Sequence, residues 1–590
     1  MDRRTIWAIL LMMVIAIAPA IFMKKSVAPP ARGGEAGQRD SASATVPESL
    51  AAARAPERDS SSPVVPARDS SRTAGADSLT RSPASVPRAQ GATDTVRITS
   101  TLYTYGISTR GGRLVEATLS RYRSMAPGQK GRPAQLLPPD SRLLGLTLVR
   151  GQDTIPLHDW PFTVSAESLD VKGPTALKLS GERNGVNLDL TYTFRPDDYQ
   201  IGVEGRVTGV GPNGGLLLVG MGPTIANTEA DSNENHRALA LVTKYNETER
   251  TDFSGLKPGE PKTVSGPFEW AAIKSKYFVT AVLALDSTRG GISGAMATAP
   301  ATAGGKPSQA NVDLSLPLPP SGTFGYTTYV GPMEMDRLHR IGHSFDDVNP
   351  YGWPGFRTII RPVAAGVRWL LVWMHEHLYL AYGLVLVIFG ILVRIILWPL
   401  NQKAMRANMQ LQAVQPLMKE IQEKHKSDPQ KVQQEMFKLY KEHGVNPLGG
   451  CWPMLLPMPV LFALFFVFQN TIELRDASFL WLPDLSRPDP LYIIPVIMGL
   501  SMWGLTKVGQ VGMEPNPQMK MMLYIMPVMM TFLFLNFASG LNLYYAVSNI
   551  ASIPQQWLLA RERKKRAVKA IVEVKTRTPE PKPARAKRKA

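Results

Sequence analysis

Five long apolar segments in the C-terminal part of the chain constrain the fold most strongly. A segment of about 20 apolar residues has the length that an α-helix needs to cross the hydrocarbon core of a bilayer. A helix satisfies its own backbone hydrogen bonds, so such segments are expected to be transmembrane helices. The predicted spans are residues 378–400, 453–471, 491–508, 520–538 and 541–559.

A further apolar segment lies at the N-terminus, where Arg3 and Arg4 precede about nineteen apolar residues. We interpret residues 1–25 as an uncleaved membrane anchor. A cleaved signal peptide is the alternative, because Ala18-Pro19-Ala20 resembles a cleavage site. Residues 26–94 are rich in Ala, Pro, Ser, Arg and Asp. They bury too little apolar surface to offset the entropy of ordering, which predicts a disordered tether.

Residues 95–350 alternate apolar and polar side chains, as in "VNLDLTYTFRP", "NVDLSLPLP" and "GTFGYTTYV", with Gly, Pro and Asn-Gly turns between the runs. This period of two predicts an antiparallel β-sandwich of many strands. The four histidines of this segment show neither metal-ligand nor catalytic-triad spacing: His158, His236, His339 and His343. We therefore predict no catalytic residue, metal or cofactor.

Residues 351–377 combine arginines on one helix face with apolar residues elsewhere. The arginines are Arg357, Arg361 and Arg368, and the tryptophans are Trp353, Trp369 and Trp373. Cations and interfacial aromatics favour an amphipathic helix that lies in the membrane interface. The alternative is a helix that packs on the sandwich and faces solvent.

The distribution of charge predicts the orientation in the membrane. Segment 401–446 has eight Lys or Arg against five acids, and the tail 561–590 has thirteen against three. The connection 472–490 has two Arg against four acids. The positive-inside rule then places both termini in the cytoplasm and residues 26–377 on the outer side of the membrane, with six crossings in all.

Segment 401–446 is predicted to form a cytoplasmic helical hairpin. Asp428 suits an N-cap and Pro429 the first helical position of its second helix. Gly444 can end that helix, and Pro416 should kink the first one. A docking role and a plain connector remain open for this hairpin.

One charge interrupts the first span, at Arg394 in "GLVLVIFGILVRIILWPL". A charged side chain at the bilayer centre is costly, and no span contains Asp or Glu to neutralise it. The last span offers polar residues at three- and four-residue steps: Asn542, Tyr545, Ser548, Asn549, Ser552, Gln555 and Gln556. We interpret the two features as the wall of a hydrated groove. The alternatives are an arginine that reaches the interface and polar residues that only join helices.

The fourth span of this group is rich in methionine, whose flexible side chain suits surfaces that accept varied apolar partners. The predicted substrate path comprises Met522, Met526, Met529 and Met530. The alternative is a row of ordinary lipid-facing residues.

Several longer motifs add a family resemblance. "VRIILWPL", "VNPLGGCWPMLLPMPVLFALF", "ELRDASFLWLPDLSRPDPLYIIPVIMG" and "SGLNLYYAVSNIASIPQQ" resemble the YidC family of membrane protein insertases over residues 350–562. "YVGPMEMDRL" and "WAAIKSKYFVTAVLA" extend the resemblance into the sandwich. The resemblance implies insertion of nascent membrane proteins into the bacterial inner membrane, alone or with the Sec translocon, through a groove open to cytoplasm and lipid. It implies no nucleotide, metal or covalent chemistry, and it makes the outer side, with residues 26–377, the periplasmic side.

The resemblance also implies roles for individual residues. Arg394 corresponds to the arginine of the family's groove, and Tyr544 and Tyr545 correspond to its tyrosine pair, of which the second contacts substrate. The hairpin and the basic tail correspond to contacts with the ribosome and targeting factors. The sandwich corresponds to a β-supersandwich that resembles sugar mutarotases. Gly390 departs from relatives that carry a hydroxyl residue there.

Two other functions are alternatives to insertion. A transporter or channel could use Arg394 to bind a small anion, but the five spans show no internal repeat of the kind common in transporters. A membrane-anchored, sugar-processing enzyme would need a histidine and an acid in one cleft, and the sequence does not indicate such a pair.

Overall fold

The computed structural model describes residues 95–285, 291–301, 305–352, 356–426, 428–444, 458–512 and 517–577. The predicted N-terminal anchor, the tether, Trp353 and the beginning of the second predicted span lie outside the described residues. The described chain has a β-rich part followed by a helical part.

Among the described residues, twenty strands form the β-rich part, which we call the β-domain (residues 95–350). The strands are Thr95–Thr99 (β1), Tyr103–Ser108 (β2), Leu114–Arg123 (β3), Pro133–Gln135 (β4), Leu146–Arg150 (β5), Asp153–Pro156 (β6), Thr163–Val164 (β7), Ser168–Asp170 (β8), Thr175–Arg183 (β9), Val186–Phe194 (β10), Gln200–Val207 (β11), Gly215–Gly220 (β12), Ala240–Lys244 (β13), Thr248–Asp252 (β14), Pro261–Phe268 (β15), Trp270–Lys274 (β16), Phe278–Leu283 (β17), Ile292–Thr298 (β18), Asn311–Leu318 (β19) and Thr323–Pro332 (β20).

These strands form three sheets. The nine-stranded sheet has the order β14-β13-β16-β17-β20-β11-β10-β9-β7, and the six-stranded sheet has the order β15-β18-β19-β12-β5-β6. A five-stranded sheet has the order β4-β3-β2-β1-β8. The predicted alternation is confirmed in β10, where Leu188, Leu190 and Tyr192 are buried and the residues between them are more exposed. The pairing of β1 with β8 is parallel, which departs from the antiparallel prediction.

Ten α-helices complete the described chain. They are Ser232–Ala238 (α1), Met335–Ile341 (α2), Arg357–Leu378 (α3), Tyr382–Ala413 (α4), Gln415–Lys424 (α5), Pro429–Glu442 (α6), Met458–Asn470 (α7), Ile493–Gly509 (α8), Pro517–Phe534 (α9) and Ser539–Arg577 (α10). In the helical part, α10 packs against both α4 and α8, α9 packs against α8, and α7 packs against α3.

The helix bounds differ from the predicted spans in several places. Tyr379 has the left-handed conformation (φ 53°) and separates α3 from α4, so the helix of the first span begins at Tyr382 and not at residue 378. That helix continues to Ala413 without a break at Leu400. The Met-rich helix ends at Phe534, before its predicted end at residue 538.

Among the described residues, one helical stretch, Tyr382–Gln402, is long and apolar enough to cross a membrane. Three further apolar helical stretches are shorter: Met458–Asn470, Ile493–Gly509 and Met519–Phe534. The 17 residues of α8 rise about 26 Å at 1.5 Å per residue, slightly less than the hydrocarbon thickness of about 30 Å. The number of crossings therefore stays a prediction.

The predicted hairpin contains two short helices, α5 and α6. The N-cap at Asp428 is confirmed, because its Oδ1 accepts a hydrogen bond from the Lys431 backbone N–H at 3.1 Å. Gly444 follows α6 with φ 62°, as expected of a helix terminator. The kink at Pro416 is wrong: the helix breaks earlier, at Val414, and Pro416 lies in the first turn of the next helix. A proline there loses no helical hydrogen bond.

The arginines of α3 contact carboxylates. Arg357 Nη2 lies 2.8 Å from Asp347 Oδ1. The other two pair in the same way: Arg361 with Asp346 and Asp347, and Arg368 with Asp336 and Glu473. Carboxylates of the β-domain and of the chain after α7 therefore balance these cations. Trp369 and Trp373 remain 63% and 39% exposed, so the interfacial location of α3 stays a prediction that rests on them.

Candidate functional site

Arg394 lies on α4 and faces α10. Its Nε donates a hydrogen bond to Ser548 Oγ at 2.6 Å. The next two side chains, Ile395 and Ile396, are 61% and 63% exposed, which is the behaviour of a lipid-facing surface. The arginine is half-buried between that apolar surface and the polar side of α10. Ser548 is thus the polar partner that offsets part of the cost of a charged side chain in hydrocarbon.

The polar residues of α10 contact more than one neighbouring helix. Ser548 contacts Arg394, and Gln555 Nε2 donates to the Trp398 carbonyl at 3.0 Å, so both face α4. Asn549 Nδ2 donates to Ser501 Oγ of α8 at 3.1 Å. The predicted single stripe therefore divides into a side towards α4 and a side towards α8.

Two other predicted groove residues make bonds along or beside α10. Ser552 Oγ donates to the Ser548 carbonyl at 2.7 Å, within the helix. Asn542 is fully buried, and its Nδ2 donates to the Phe534 carbonyl of α9 at 3.0 Å. Asn542 therefore joins the beginning of α10 to the end of α9, away from Arg394.

The two tyrosines face different helices. The Tyr544 ring lies 5.8 Å from the Phe389 ring of α4 and is only 6% exposed. The Tyr545 ring packs edge-on against Phe534 of α9 at 5.4 Å and is half-buried. Tyr544 therefore lies on the α4 side of α10, and Tyr545 is the more accessible member of the pair.

The predicted methionine path is only partly exposed. Met522 is 53% exposed, while Met526, Met529 and Met530 are half-buried. The most exposed residues of the same helix also include non-methionine side chains: Tyr524, Ile525, Val528 and Phe532. This outer surface favours contact with lipid, and the three half-buried methionines remain candidates for substrate contact.

Sequence reasoning missed Ser501, and it noted Gly390 without its role in packing. Ser501 is the partner of Asn549, and the available signal was a single hydroxyl residue in the apolar run "IIPVIMGLSMWGL". Gly390 lies one turn before Arg394, where a Cβ would be 3.2 Å from Val547 Cγ1 and 3.6 Å from Tyr544 Cδ2. The glycine therefore allows α4 to approach α10 closely.

The main electrostatic feature of the site is a positive charge. Arg394 supplies a positive charge, and the helices around it contain no carboxylate between residues 382–402, 493–509, 517–534 and 539–560. The hydroxyl of Ser548 accepts a hydrogen bond from Arg394 but carries no charge, so the net positive charge remains.

Comparisons with known proteins show which family the chain belongs to. A model described as the 60Kd inner membrane protein matches residues 373–566, and a model of the YidC periplasmic domain matches residues 95–365. Membrane protein insertase YidC of Oleidesulfovibrio alaskensis is 32% identical over 484 residues, which cover 79% of this chain and 86% of the relative. The chain belongs to the YidC family of membrane protein insertases.

Other relatives agree with this assignment. The YidC insertase of Nitratidesulfovibrio vulgaris is 31% identical and that of Chlorobaculum parvum 30%, each over 79% of this chain. YidC family members are bacterial inner-membrane proteins, and the β-domain corresponds to the family's periplasmic domain. The insertase family is not an enzyme family in the catalytic sense.

Two solved structures were also found to be similar. The crystal structure of an active YidC insertase with its first transmembrane domain resolved has a TM-score of 0.33 and 18% identity, and covers 79% of this chain and 93% of that one. A galactose mutarotase related enzyme from Lactobacillus acidophilus has a TM-score of 0.25 and 11% identity, and covers 40% of this chain and 97% of that one.

Proposed function

We propose that this chain inserts nascent integral membrane proteins into the bacterial inner membrane and assists their folding, alone or with the Sec translocon. One observation supports the groove mechanism most directly: Arg394 is half-buried in an apolar helix and bonds to a hydroxyl of α10. No carboxylate of the surrounding helices neutralises it. The charge is therefore free to act on an incoming chain.

The mechanism uses electrostatics and apolar transfer. A short hydrophilic end of the substrate enters beside Arg394, where water and positive charge lower the cost of leaving the cytoplasm. The apolar segment of the substrate then moves past α9, with its half-buried methionines, into lipid. The transfer of apolar surface and the membrane potential supply the free energy, so no nucleotide is needed.

The orientation and partners belong to the same proposal. Six spans would place the β-domain in the periplasm and both termini in the cytoplasm. The hairpin 401–446 and the tail 561–590 would then meet the ribosome and targeting factors. The basic outer surface of the hairpin and the thirteen cations of the tail suit RNA phosphates and anionic lipid headgroups.

The proposal is tested by insertion into proteoliposomes that contain the full-length protein. The substrates are single-span proteins that differ only in whether the translocated flank is acidic or neutral. Arg394→Ala should slow insertion of the acidic-flank substrate roughly tenfold, equivalent to about 1.4 kcal/mol, and Arg394→Lys should retain most activity. Lys507→Ala is the control, because it also removes a cation from the helical part. The Lys507 ammonium lies over the Trp503 ring, 4.5 Å from its centroid, whereas it is Arg394 that contacts Ser548.

Two outcomes would contradict the proposal. Equal behaviour of Arg394→Ala and Arg394→Lys would mean that the charge has no role in the groove. Normal insertion by the protein-free liposomes, together with loss of anion uptake by Arg394→Ala, would favour the small-anion transporter.

A further inference from the structure

Arg475 enters the β-domain from the helical part of the chain. It belongs to the connecting loop (residues 471–492) between α7 and α8, and it is 9% exposed. Its Nε lies 3.0 Å from both carboxylate oxygens of Glu229. Nη1 donates to the Arg123 carbonyl at 2.8 Å, and Nη2 donates to the Thr228 carbonyl at 3.0 Å. The planar guanidinium thus donates hydrogen bonds to acceptors whose arrangement matches its geometry.

The acceptors are held by the β-domain itself. Thr228 Oγ1 donates to Glu229 Oε1 at 2.9 Å, and the Thr228 carbonyl also accepts from the Met125 backbone N–H at 2.8 Å. The ring of Phe278 in β17 covers the guanidinium, with its centroid 5.6 Å from Arg475 Cζ. Glu229 is itself buried, so removal of the arginine would leave an uncompensated charge.

The same connecting loop contacts the beginnings of both groove helices. Phe479 lies over Gly383 at the beginning of α4, where a Cβ would be 2.0 Å from the ring. At the beginning of α10, the Ser539 backbone N–H donates to the Arg487 carbonyl at 2.7 Å. The loop is therefore fixed at one point in the β-domain and at two points on the helices that carry Arg394 and Ser548.

We propose that Arg475 is a positioning residue, which anchors the connecting loop in the β-domain and thereby fixes the ends of α4 and α10 beside the groove. The inference rests on the proposed insertase function and adds a role for the β-domain. Neither ligand binding nor catalysis by the β-domain is needed for this role. The β-domain acts as a rigid support for one end of the groove.

The test uses the full-length protein in proteoliposomes, with hydrogen exchange and insertion measured on the same samples. The variants are Arg475→Lys, Arg475→Ala, Glu229→Ala and the double variant Arg475→Ala/Glu229→Ala. Arg487→Ala is the matched control, since Arg487 lies in the same loop and has no ion-pair partner among the described residues, while its backbone carbonyl is retained.

For Arg475→Ala we expect exchange of the loop amides, and of the Ser539 amide, to rise on the order of tenfold or more. Insertion should fall, while exchange in the strands of the β-domain stays unchanged. Arg475→Lys should be intermediate, because lysine keeps the charge without the fork of donors. The double variant should be no worse than Arg475→Ala, because both changes remove the same contact.

The inference is overturned if Arg475→Ala behaves like Arg487→Ala in exchange, or if the loop loosens and insertion is unaffected. If Arg475→Ala does not fold, the comparison of Arg475→Lys with Arg487→Ala decides in the same way. Failure of the unmodified protein to insert any substrate would refute the proposed function instead. The exchange measurement would still show whether Arg475 holds the loop.

Discussion

Replacement of Ser548 by alanine tests whether water reaches Arg394 in the groove. In a dry helix contact, loss of the 2.6 Å bond from Arg394 would leave the guanidinium without its hydroxyl partner. Hydrogen bonds to charged groups contribute roughly 1.5–3 kcal/mol, so a destabilisation of that size would follow. If water reaches Arg394, a water molecule replaces the hydroxyl. We therefore expect Ser548→Ala to change the free energy of unfolding by less than about 0.5 kcal/mol.

The neighbouring contact provides the control. Ser501→Ala removes the acceptor of Asn549, which is 8% exposed and lies in the contact between α8 and α10. Polar contacts between membrane helices are worth about 0.6 kcal/mol on average and up to about 1.7 kcal/mol. Ser501→Ala should therefore destabilise the protein more than Ser548→Ala does. Both free energies are measured by reversible unfolding in bicelles. A loss above about 1.5 kcal/mol for Ser548→Ala, larger than that for Ser501→Ala, would refute the hydrated groove.

Three further predictions concern other parts of the chain. Gly499→Ala would place a Cβ 1.9 Å from Thr531 Oγ1, so it should destabilise the α8–α9 contact by about 1–3 kcal/mol in an unfolding assay, and Thr531→Ala should rescue it. Asp428→Ala removes the cap on Lys431 N–H and should cost about 1 kcal/mol, seen as faster amide exchange at the beginning of α6; unchanged exchange would contradict the capping role. Burial lowers the pKa of Lys274 well below 10.5, so its contribution to stability is present above pH 10.5 and is lost as the pH falls. The unfolding free energy of the unmodified protein, relative to Lys274→Met, should therefore rise between pH 7 and pH 10, and a constant difference would refute this.

The strands were predictable because their pattern is local. The alternation in β10 and β11 indicates which side chains are buried, and the two strands pair as an antiparallel hairpin with Leu190 opposite Gly205. The parallel pairing of β1 with β8 was not predictable, because residues 97 and 168 lie far apart in the sequence and come together only in the folded sheet. Pairing over such distances depends on tertiary packing that the local pattern does not encode.

The helix bounds show the same limit. The change from apolar to polar residues at Asn401 suggested a boundary, yet α4 continues to Ala413. Residues 401–413 are mostly good helix formers, such as Ala, Met, Gln, Arg and Lys, so polarity changes there while helix propensity does not. A membrane boundary therefore need not coincide with a helix end.

The partner of Arg394 was predictable as a class but not as a residue. A charge in hydrocarbon is costly, so Arg394 was expected to face polar groups, and the polar residues of α10 were the candidates that the sequence offered. The periodicity of α10 could not show that Asn542 faces α9 and Asn549 faces α8, because neighbouring helices divide its circumference. The position of each neighbour depends on contacts such as Gly390 against Val547.

Arg368, Arg475 and Arg394 contact two kinds of partner. Near the β-domain, Arg368 and Arg475 contact the carboxylates of Glu473 and Glu229, so their charges are balanced within the protein. Arg394 contacts a hydroxyl, which accepts a hydrogen bond but leaves the net charge in place. Balanced charges hold structure together, whereas an unbalanced charge in an apolar helix keeps its field for another molecule. An aspartate at position 548 would neutralise the site, whereas the serine there does not. This difference supports the proposal that Arg394 attracts an acidic segment of an incoming chain.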